Sequence, residues 1–408
     1  MENFDHLVVG GGIVGASIAY HLVRKKAGKV LLLERNELAS AASSRAAGLV
    51  LQASTKPSKT PLANLTIRSV PMLEEELGES VGFHDVGSLR IAASESRATE
   101  LASMIEDALR WGIPVEWTSA DALDRMVPWL DTSRVHKAAF FPTDGYVDPY
   151  LLSMSYIRAA QARGAVVRPR TEVRDVLMER QKVTGVLSDA GRISCGTVID
   201  ACGVWSALLS ARVGYLLPMA PVRSHYWIAE PDEAYGGEHP VTILPDAAAY
   251  TRPEVGGLVL GVQEPRSATF DARDLPSDPA AFSPTKGEEH WDVLTNAYES
   301  VAQFFPAIET ARFSSYICGL SSYTPDGEII LGAVPEVSGF FAATGACGSG
   351  IALSAGMGDT TADLVLGRRP EVDIMPFRPD RFGNVDPFGE AFRERCASAR
   401  ASKSRVIA

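Results

Sequence analysis

Gly10, Gly12 and Gly15 stand at G-x-G-x-x-G spacing, behind an apolar run at residues 6–10 and ahead of small and apolar residues at helical period from Ala16 to Val23. The order is strand, tight turn, helix, and its chemistry is the holding of a pyrophosphate. Gly10 permits the turn, Gly12 opens the backbone to phosphate, and Gly15 lets helix and strand pack closely. The helix start, at Ile13 and Val14, offers free N–H groups and a partial positive charge. A second apolar strand, Val30–Leu33, ends in Glu34, 19 residues after Gly15, where a carboxylate can accept the hydroxyl protons of an adenosine ribose. With these parts in register a bound dinucleotide is expected. The fingerprint does not separate NAD from FAD, which share pyrophosphate and ribose.

After Glu34-Arg35 comes Ser43-Ser44-Arg45-Ala46-Ala47-Gly48-Leu49, a loop of small residues where an NAD enzyme would proceed to its next helix and strand. Small side chains over that length suit a backbone laid flat against a large ring system. Further on stand Val81-Gly82-Phe83-His84-Asp85-Val86-Gly87-Ser88-Leu89-Arg90, Asp144-Gly145 with Val147-Asp148-Pro149, Thr324-Pro325-Asp326-Gly327-Glu328 with Leu331-Gly332, and Pro376-Phe377 with Pro379, Arg381 and Phe382. In these segments the sequence resembles the FAD-dependent amine and amino-acid oxidoreductases of the D-amino-acid-oxidase superfamily, and within it the flavin domain of dimethylglycine and sarcosine dehydrogenases. Each motif is short; their order and spacing over about residues 5–385 make the resemblance specific.

The resemblance implies an α/β plus α+β fold. A Rossmann-like FAD-binding domain (residues 1–83, 144–215 and 319–385) is interleaved with a mainly antiparallel-sheet substrate domain (84–143 and 216–318), and 386–408 form a C-terminal tail. The two substrate stretches read as short strands alternating with turns. The tail from Gly389, with Arg393, Arg395, Arg400, Lys403 and Arg405, reads as a helix that frays into solvent. The family also sets backbone at the Val173 position against the adenine. Val198 to Trp205 is an apolar strand ending in small residues, so Ala201, Cys202, Gly203 and Trp205 would let the dinucleotide come close. Cys202 is expected in the core, since nothing near it in sequence lowers its pKa. Phe340 to Gly345 reads as a buried strand, and Cys347-Gly348-Ser349-Gly350-Ile351 as a Gly-rich turn into a helix near Ala352. The N-terminus of that helix would stabilise negative charge on a reduced ring.

On the substrate side, Pro221 to Trp227 alternates polar and aromatic residues, which makes His225 and Tyr226 candidates for the pocket, or for the core with satisfied polar tips. Arg252, ahead of the Gly256-Gly257 hairpin, is the first candidate for a substrate carboxylate, which a guanidinium fork grips through both oxygens; a surface arginine is the alternative. Two departures from the family matter. Where dimethylglycine and sarcosine dehydrogenases carry the histidine joined to the flavin, this sequence has Arg45. Where monomeric sarcosine oxidases attach it through cysteine it has Gly319, and Cys318, one residue off, would face the other way on a strand. Non-covalent FAD is expected, with attachment through Cys318 as the alternative. The lysine those oxidases place over the flavin matches Val259, which leaves oxygen and a protein or quinone electron acceptor both open.

The resemblance thus implies oxidation of the C–N bond of a secondary or tertiary amine, an N-methylated or cyclic amino acid, by hydride transfer to flavin N5 and hydrolysis of the imine. Two alternatives stay open. One is a non-catalytic or regulatory FAD-binding subunit of a larger complex, which Arg45 keeps alive. The other is an NAD-dependent dehydrogenase, which leaves the later motifs unexplained.

Composition agrees with a globular chain: 408 residues, 46% hydrophobic and 22% charged, enough for two or three domains. A net charge of −11 without a Lys/Arg cluster argues against nucleic acid and anionic lipid and for a small-molecule partner, with an oligomer or a partner subunit left open. No apolar run reaches the ~18 residues of a membrane span, and the N-terminus lacks the order of a signal peptide, so the expected location is cytoplasmic. The five scattered cysteines are expected as thiols, and the histidines fall into no ligand spacing, so no metal site is expected.

Overall fold

The computed structural model describes residues 2–403. Its first sheet has eight strands, and the parallel ones carry the glycine cradle. Glu2–Val9 runs between Val30–Leu33 and Gly191–Asp200, all parallel, with Val166–Arg168 beyond Val30–Leu33 and Phe340–Thr344 beside the end of Gly191–Asp200. Leu7 to Val9 and Val30 to Leu33 are unbroken apolar runs because both faces of this layer are covered. Val8, Val30 and Leu32 face helices Ile13–Arg24, Thr60–Leu77, Pro149–Ala162 and Ser354–Val365. Leu7, Val9, Leu31 and Leu33 face the hairpin of Val173–Glu179 and Lys182–Ser188 and the short helix Ser206–Ala211.

The second sheet also has eight strands, in the order Phe313–Tyr323, Ala220–Ala229, Gly257–Val262, Ala249–Glu254, Val241–Leu244, Ser88–Ala92, Lys137–Phe141 and Glu116–Trp117. Every junction is antiparallel except that of Val241–Leu244 with Ser88–Ala92, the parallel seam where two separate stretches of chain meet. A mostly parallel layer beside a largely antiparallel one is the expected α/β plus α+β architecture. The expected alternation of strands and turns is incomplete, however. Residues 84–143 also fold helices Glu95–Arg110 and Ala120–Met126, and 216–318 fold Glu289–Ala302. Ser94 and Ser119 cap the first two, and Ala98, Leu101, Ile105 and Ala108 recur at helical spacing on the buried face of the first.

A three-stranded sheet of Leu49–Val50, Gly145–Val147 and Phe83–His84 joins the layers. Here two of the sequence motifs meet: Phe83 pairs with Val147 and His84 with Tyr146, whose ring it stacks on at 4.5 Å. The two later motifs meet as well, since Arg381 grips Asp326 through Nε at 2.8 Å and Nη2 at 3.0 Å.

The C-terminal tail needs correction. It is helical, over Glu390–Ala401, but it does not fray into solvent: Phe392, Cys396 and Ala397 bury themselves against Ala220, Val222, Tyr323 and Cys347, and Arg400 is buried with them. Phe392, Cys396 and Arg400 are four residues apart, so the arginine continues the apolar face. Arg405 lies outside the described residues. Among those described, no helix is long and apolar enough to cross a membrane.

Candidate cofactor and substrate cavity

A continuous cavity of about 730 Å³ runs from the glycine cradle to the second sheet. At the cradle, Gly10 takes φ +111° and a Cβ on it would lie 2.4 Å from Ala201 O; a Cβ on Gly15 would lie 1.9 Å from Gly10 O. Both glycines are therefore demanded by backbone packing, and Gly15 itself does not line the cavity. Gly12 differs. It has ordinary extended angles, and a Cβ there would meet only Ser43 Oγ, at 3.2 Å, so its bare face opens on the cavity together with Ile13 and Val14. Glu34 accepts from Gly11 N at 2.7 Å and from Asn36 N at 2.9 Å, which fixes its carboxylate beside the cradle. Arg35 lies over the Trp205 ring at 4.1 Å and its Nη2 is buried without a partner. Val173, Ala201, Cys202 and Gly203 complete this end. The Cys202 thiol donates to Val9 O at 3.4 Å, and burial, with Asp200 beside it, pushes its pKa well up, as befits a packed thiol. All five cysteines are free.

An open cradle at a helix start, a fixed carboxylate and an unclaimed buried guanidinium nitrogen suit a pyrophosphate and its nucleoside, so the residues present fit a dinucleotide.

Further along, the segment 43–49 forms the cavity wall except for Ser44, which is exposed and donates to Ala41 O. Three contacts hold the segment in place. Ile13 N donates to Ser43 Oγ at 3.0 Å, Tyr226 donates to Ala46 O at 3.4 Å, and Arg252 Nε donates to Ala47 O at 2.6 Å. Arg45 donates to Ser40 O and Ala41 O, and its stem lies against Gly319, where a Cβ would come 3.0 Å from Arg45 Cδ. The two positions singled out for covalent attachment thus face each other, one a guanidinium and the other without a side chain. The expectation that Cys318 faces the other way is corrected: Cys318 and Gly319 both line the cavity, and the Cys318 sulfur accepts from Thr285 Oγ1 at 3.4 Å. Gly348, Ser349, Gly350 and Ile351 also line the cavity; Gly345 does not, but turns the chain against Ile330 at φ +60°, and the helix starts at Ser354.

Arg252 does not line the cavity. Besides Ala47 O it donates to Pro253 O, pairs with Glu254 at 2.7 Å and lies over the Tyr146 ring at 4.8 Å. It is a prop for the wall. Arg252→Met is expected to lower stability by about 2 kcal/mol, the worth of a charge-assisted hydrogen bond. It should change KM for amines with and without a carboxylate by the same factor; in steady-state kinetics a rise confined to carboxylate substrates would return Arg252 to substrate recognition.

His225 faces the cavity with Nδ1 bonded to Tyr316 OH at 3.1 Å and Nε2 buried without a partner. Burial first, then the nearby Arg400, Arg223 and His290 charges, pull its pKa down to about 3. The folded protein therefore keeps His225 neutral, while the unfolded chain takes up a proton as pH falls below about 6.5. Stability is thus lost on acidification, by roughly 2 kcal/mol between pH 7.5 and pH 5 on this residue alone. Urea unfolding at the two pH values should show that difference shrink by about as much in His225→Asn.

Gln52, Arg90, Tyr250, Arg400 and Lys403 also line the cavity and escaped the sequence reading. Gln52 and Arg90 sit in or beside recognised motifs, whereas only the four-residue spacing from Phe392 could have brought Arg400 to notice.

The chain matches the family model described as FAD dependent oxidoreductase over residues 5–364. It is 34% identical over 378 residues to 4-methylaminobutanoate oxidase (formaldehyde-forming) of Paenarthrobacter nicotinovorans, covering 92% of this chain and 45% of that protein. To mitochondrial sarcosine dehydrogenase of Mus musculus it is 28% identical over 408 residues, covering 98% and 44%. The chain thus spans less than half the length of these curated relatives. Among solved structures, L-proline dehydrogenase from P. horikoshii has the same fold, with a TM-score of 0.82 at 24% identity, covering 93% of this chain and 98% of that one.

Proposed function

The chain belongs to the family of FAD dependent oxidoreductases, and from that premise we propose that it holds FAD non-covalently and oxidises the C–N bond of an N-methylated or cyclic amino acid. The observation that carries this reading is the unbroken cavity from the Gly12 cradle to the wall of Ala46, Ala47 and Gly319. FAD, when bound, supplies the acceptor for the hydride lost from the carbon next to nitrogen, and water then hydrolyses the iminium to a carbonyl compound and an amine. The protein's own share is to bind, orient and exclude water. Gly12, Ile13, Glu34 and Arg35 would hold the dinucleotide portion, while Ser43, Tyr226 and Arg252 keep the ring-side segment in one position. His225 stays neutral, so it adds no charge to repel or trap an amine. Arg45 and Gly319 offer no nucleophile for a flavin bond, which supports non-covalent attachment, and release of the colour on denaturation is what excludes a bond to the free Cys318 thiol on the cavity wall.

The relatives' printed substrates, a methylaminobutanoate and sarcosine, motivate the choice of N-methylated amino acids, and the proline dehydrogenase adds cyclic ones to the panel. Visible spectra of the purified protein, before and after anaerobic addition of sarcosine, 4-methylaminobutanoate, proline and D-amino acids, test the reading. We expect a yellow protein that one class bleaches and whose colour passes into the filtrate on denaturation. Fast re-oxidation in air assigns oxygen as acceptor; slow re-oxidation speeded by a quinone assigns a protein or quinone acceptor. A yellow protein bleached by no amine overturns the activity and favours a regulatory role, and a colourless one that FAD cannot reconstitute overturns the cofactor.

A further inference from the structure

Four arginines are buried among the described residues: Arg90, Arg223, Arg252 and Arg400. Three of them have an acid nearby. Arg223 meets Glu264 at 2.8 Å, Arg252 meets Glu254 at 2.7 Å, and Arg90 stands 3.8 Å from Asp144. Arg400, only 4% exposed, has none; its partners are two hydroxyls, Ser224 Oγ on Nε and Ser267 Oγ on Nη1, each at 3.2 Å. A guanidinium has five N–H donors, so most of this one is uncommitted. A buried charge without a counterion is costly, and a neutral side chain could anchor the helix to two serines at less cost. What the protein does not supply, a ligand can.

The surroundings say which ligand. Arg400 lines the cavity, and Ser224, which holds its Nε, is the strand partner of Gly319, against which Arg45 packs. The guanidinium is therefore held near the ring-side wall by two hydroxyls, on Nε and Nη1, and Nη2 with the second Nη1 hydrogen is left over. Its charge reaches the buried phenols of Tyr250 and Tyr323, both cavity-lining and both pushed up in pKa mainly by burial, so they stay protonated as hydrogen-bond donors. Lys403, three residues on, also lines the cavity and donates to Gly348 O at 2.9 Å. The carboxylates that line the cavity are engaged elsewhere: Glu34 at the cradle, Glu100 with Arg97, and Glu172 beside the Val173 end.

We propose that Arg400, presented by the C-terminal helix beyond the family-matched residues, is the carboxylate-binding residue of the cavity, and that the substrate's carboxylate is its missing counterion. This rests on the proposed oxidation of an amino acid and deepens it: the carboxylate of that substrate is read by a side chain from outside the family-matched residues 5–364, and neutral amines are excluded.

Redox-inert probes test the site without turnover. Acetate and furan-2-carboxylate, against acetamide and furan-2-carboxamide, are titrated into the FAD-loaded protein and followed by the flavin difference spectrum. The carboxylates should bind and the amides fail to; Arg400→Met should weaken carboxylates by about 30-fold with FAD content unchanged, and Arg400→Lys should fall between. Should Arg400→Met fail to fold, Ser267→Ala, which removes the hydroxyl that positions Nη1, should still weaken carboxylates several-fold. Equal binding of acid and amide, or undiminished carboxylate binding in the variants, overturns the proposal. The two readings fail separately. Carboxylate binding through Arg400 in a protein that no amine bleaches sinks the oxidation and leaves this site standing. A neutral amine that bleaches as fast as an N-methyl amino acid sinks this site and leaves the oxidation.

Discussion

Gly12→Leu should purify folded and colourless. The position has φ −75° and ψ −179°, which any residue adopts, and an added Cβ meets only the Ser43 hydroxyl. The rest of a leucine then has one direction to go, over the start of the helix at Ile13, into the space a pyrophosphate needs. FAD affinity should fall by at least about 100-fold, equivalent to roughly 2.7 kcal/mol. The flavin-to-protein absorbance ratio and FAD titration of the apoprotein measure the loss; circular dichroism and urea unfolding of the apoproteins should match. Gly15→Val supplies the contrast. Its Cβ would lie 1.9 Å from Gly10 O, a backbone atom with nowhere to move, so that variant should fail to fold. A yellow, fully loaded Gly12→Leu would remove the cradle from the cofactor site.

That contrast marks what was legible in the sequence. The cradle is a local pattern of glycines, apolar strands and one acid, and each part acts on near neighbours in the chain. Apolar continuity over Val30 to Leu33 fixed the strand because burial on both faces leaves no other pattern. Long-range partnership is another matter. That Arg381 grips Asp326, or that Arg252 reaches Ala47 from more than two hundred residues away, depends on strand register across sheets. Read alone, an arginine between tyrosine and a glycine hairpin looks the same whether it props a loop or binds a substrate. The helix Glu95–Arg110 was legible in principle, from Ser94 and the period of Ala98, Leu101, Ile105 and Ala108, but its charged outer face masked it. The C-terminal helix was legible as a helix but its burial was not: Arg393 and Arg395 make it look like a solvated end, and the buried Arg400 is distinguished from them only by its phase with Phe392 and Cys396. Substrate-side residues come from the edges of several such elements, so no short window of sequence holds them together.

Removing the carboxylate of Asp144, which is buried and does not itself line the cavity, should cost the fold heavily. Asp144 is fully buried where the three-stranded sheet meets the strand Ser88–Ala92 of the second sheet. One oxygen accepts from Gln52 N at 2.9 Å, the other from Ser88 Oγ at 2.7 Å, and Arg90 lies 3.8 Å away. Burial pushes its pKa up, while Arg90, Ser88 and the Gln52 N–H pull it down. The two short hydrogen bonds carry more of the tie than the longer ion pair, because a buried donor left without an acceptor keeps its full desolvation cost. Asp144→Ala orphans two donors at once and strips Arg90, whose Nε already lacks a partner, of its acid. The expected loss is about 3–5 kcal/mol, read from urea unfolding at saturating FAD. FAD affinity should fall as well, since Gln52 and Arg90 line the cavity. Asp144→Asn, which retains one acceptor oxygen, should lose less. The double variant Asp144→Ala/Arg90→Leu should regain part of the loss, because it removes the buried charge that the single variant leaves unpaired. If Asp144→Ala instead cost under about 1 kcal/mol, the three segments would have to be held by their apolar contacts, and the buried carboxylate would have no structural work in this fold.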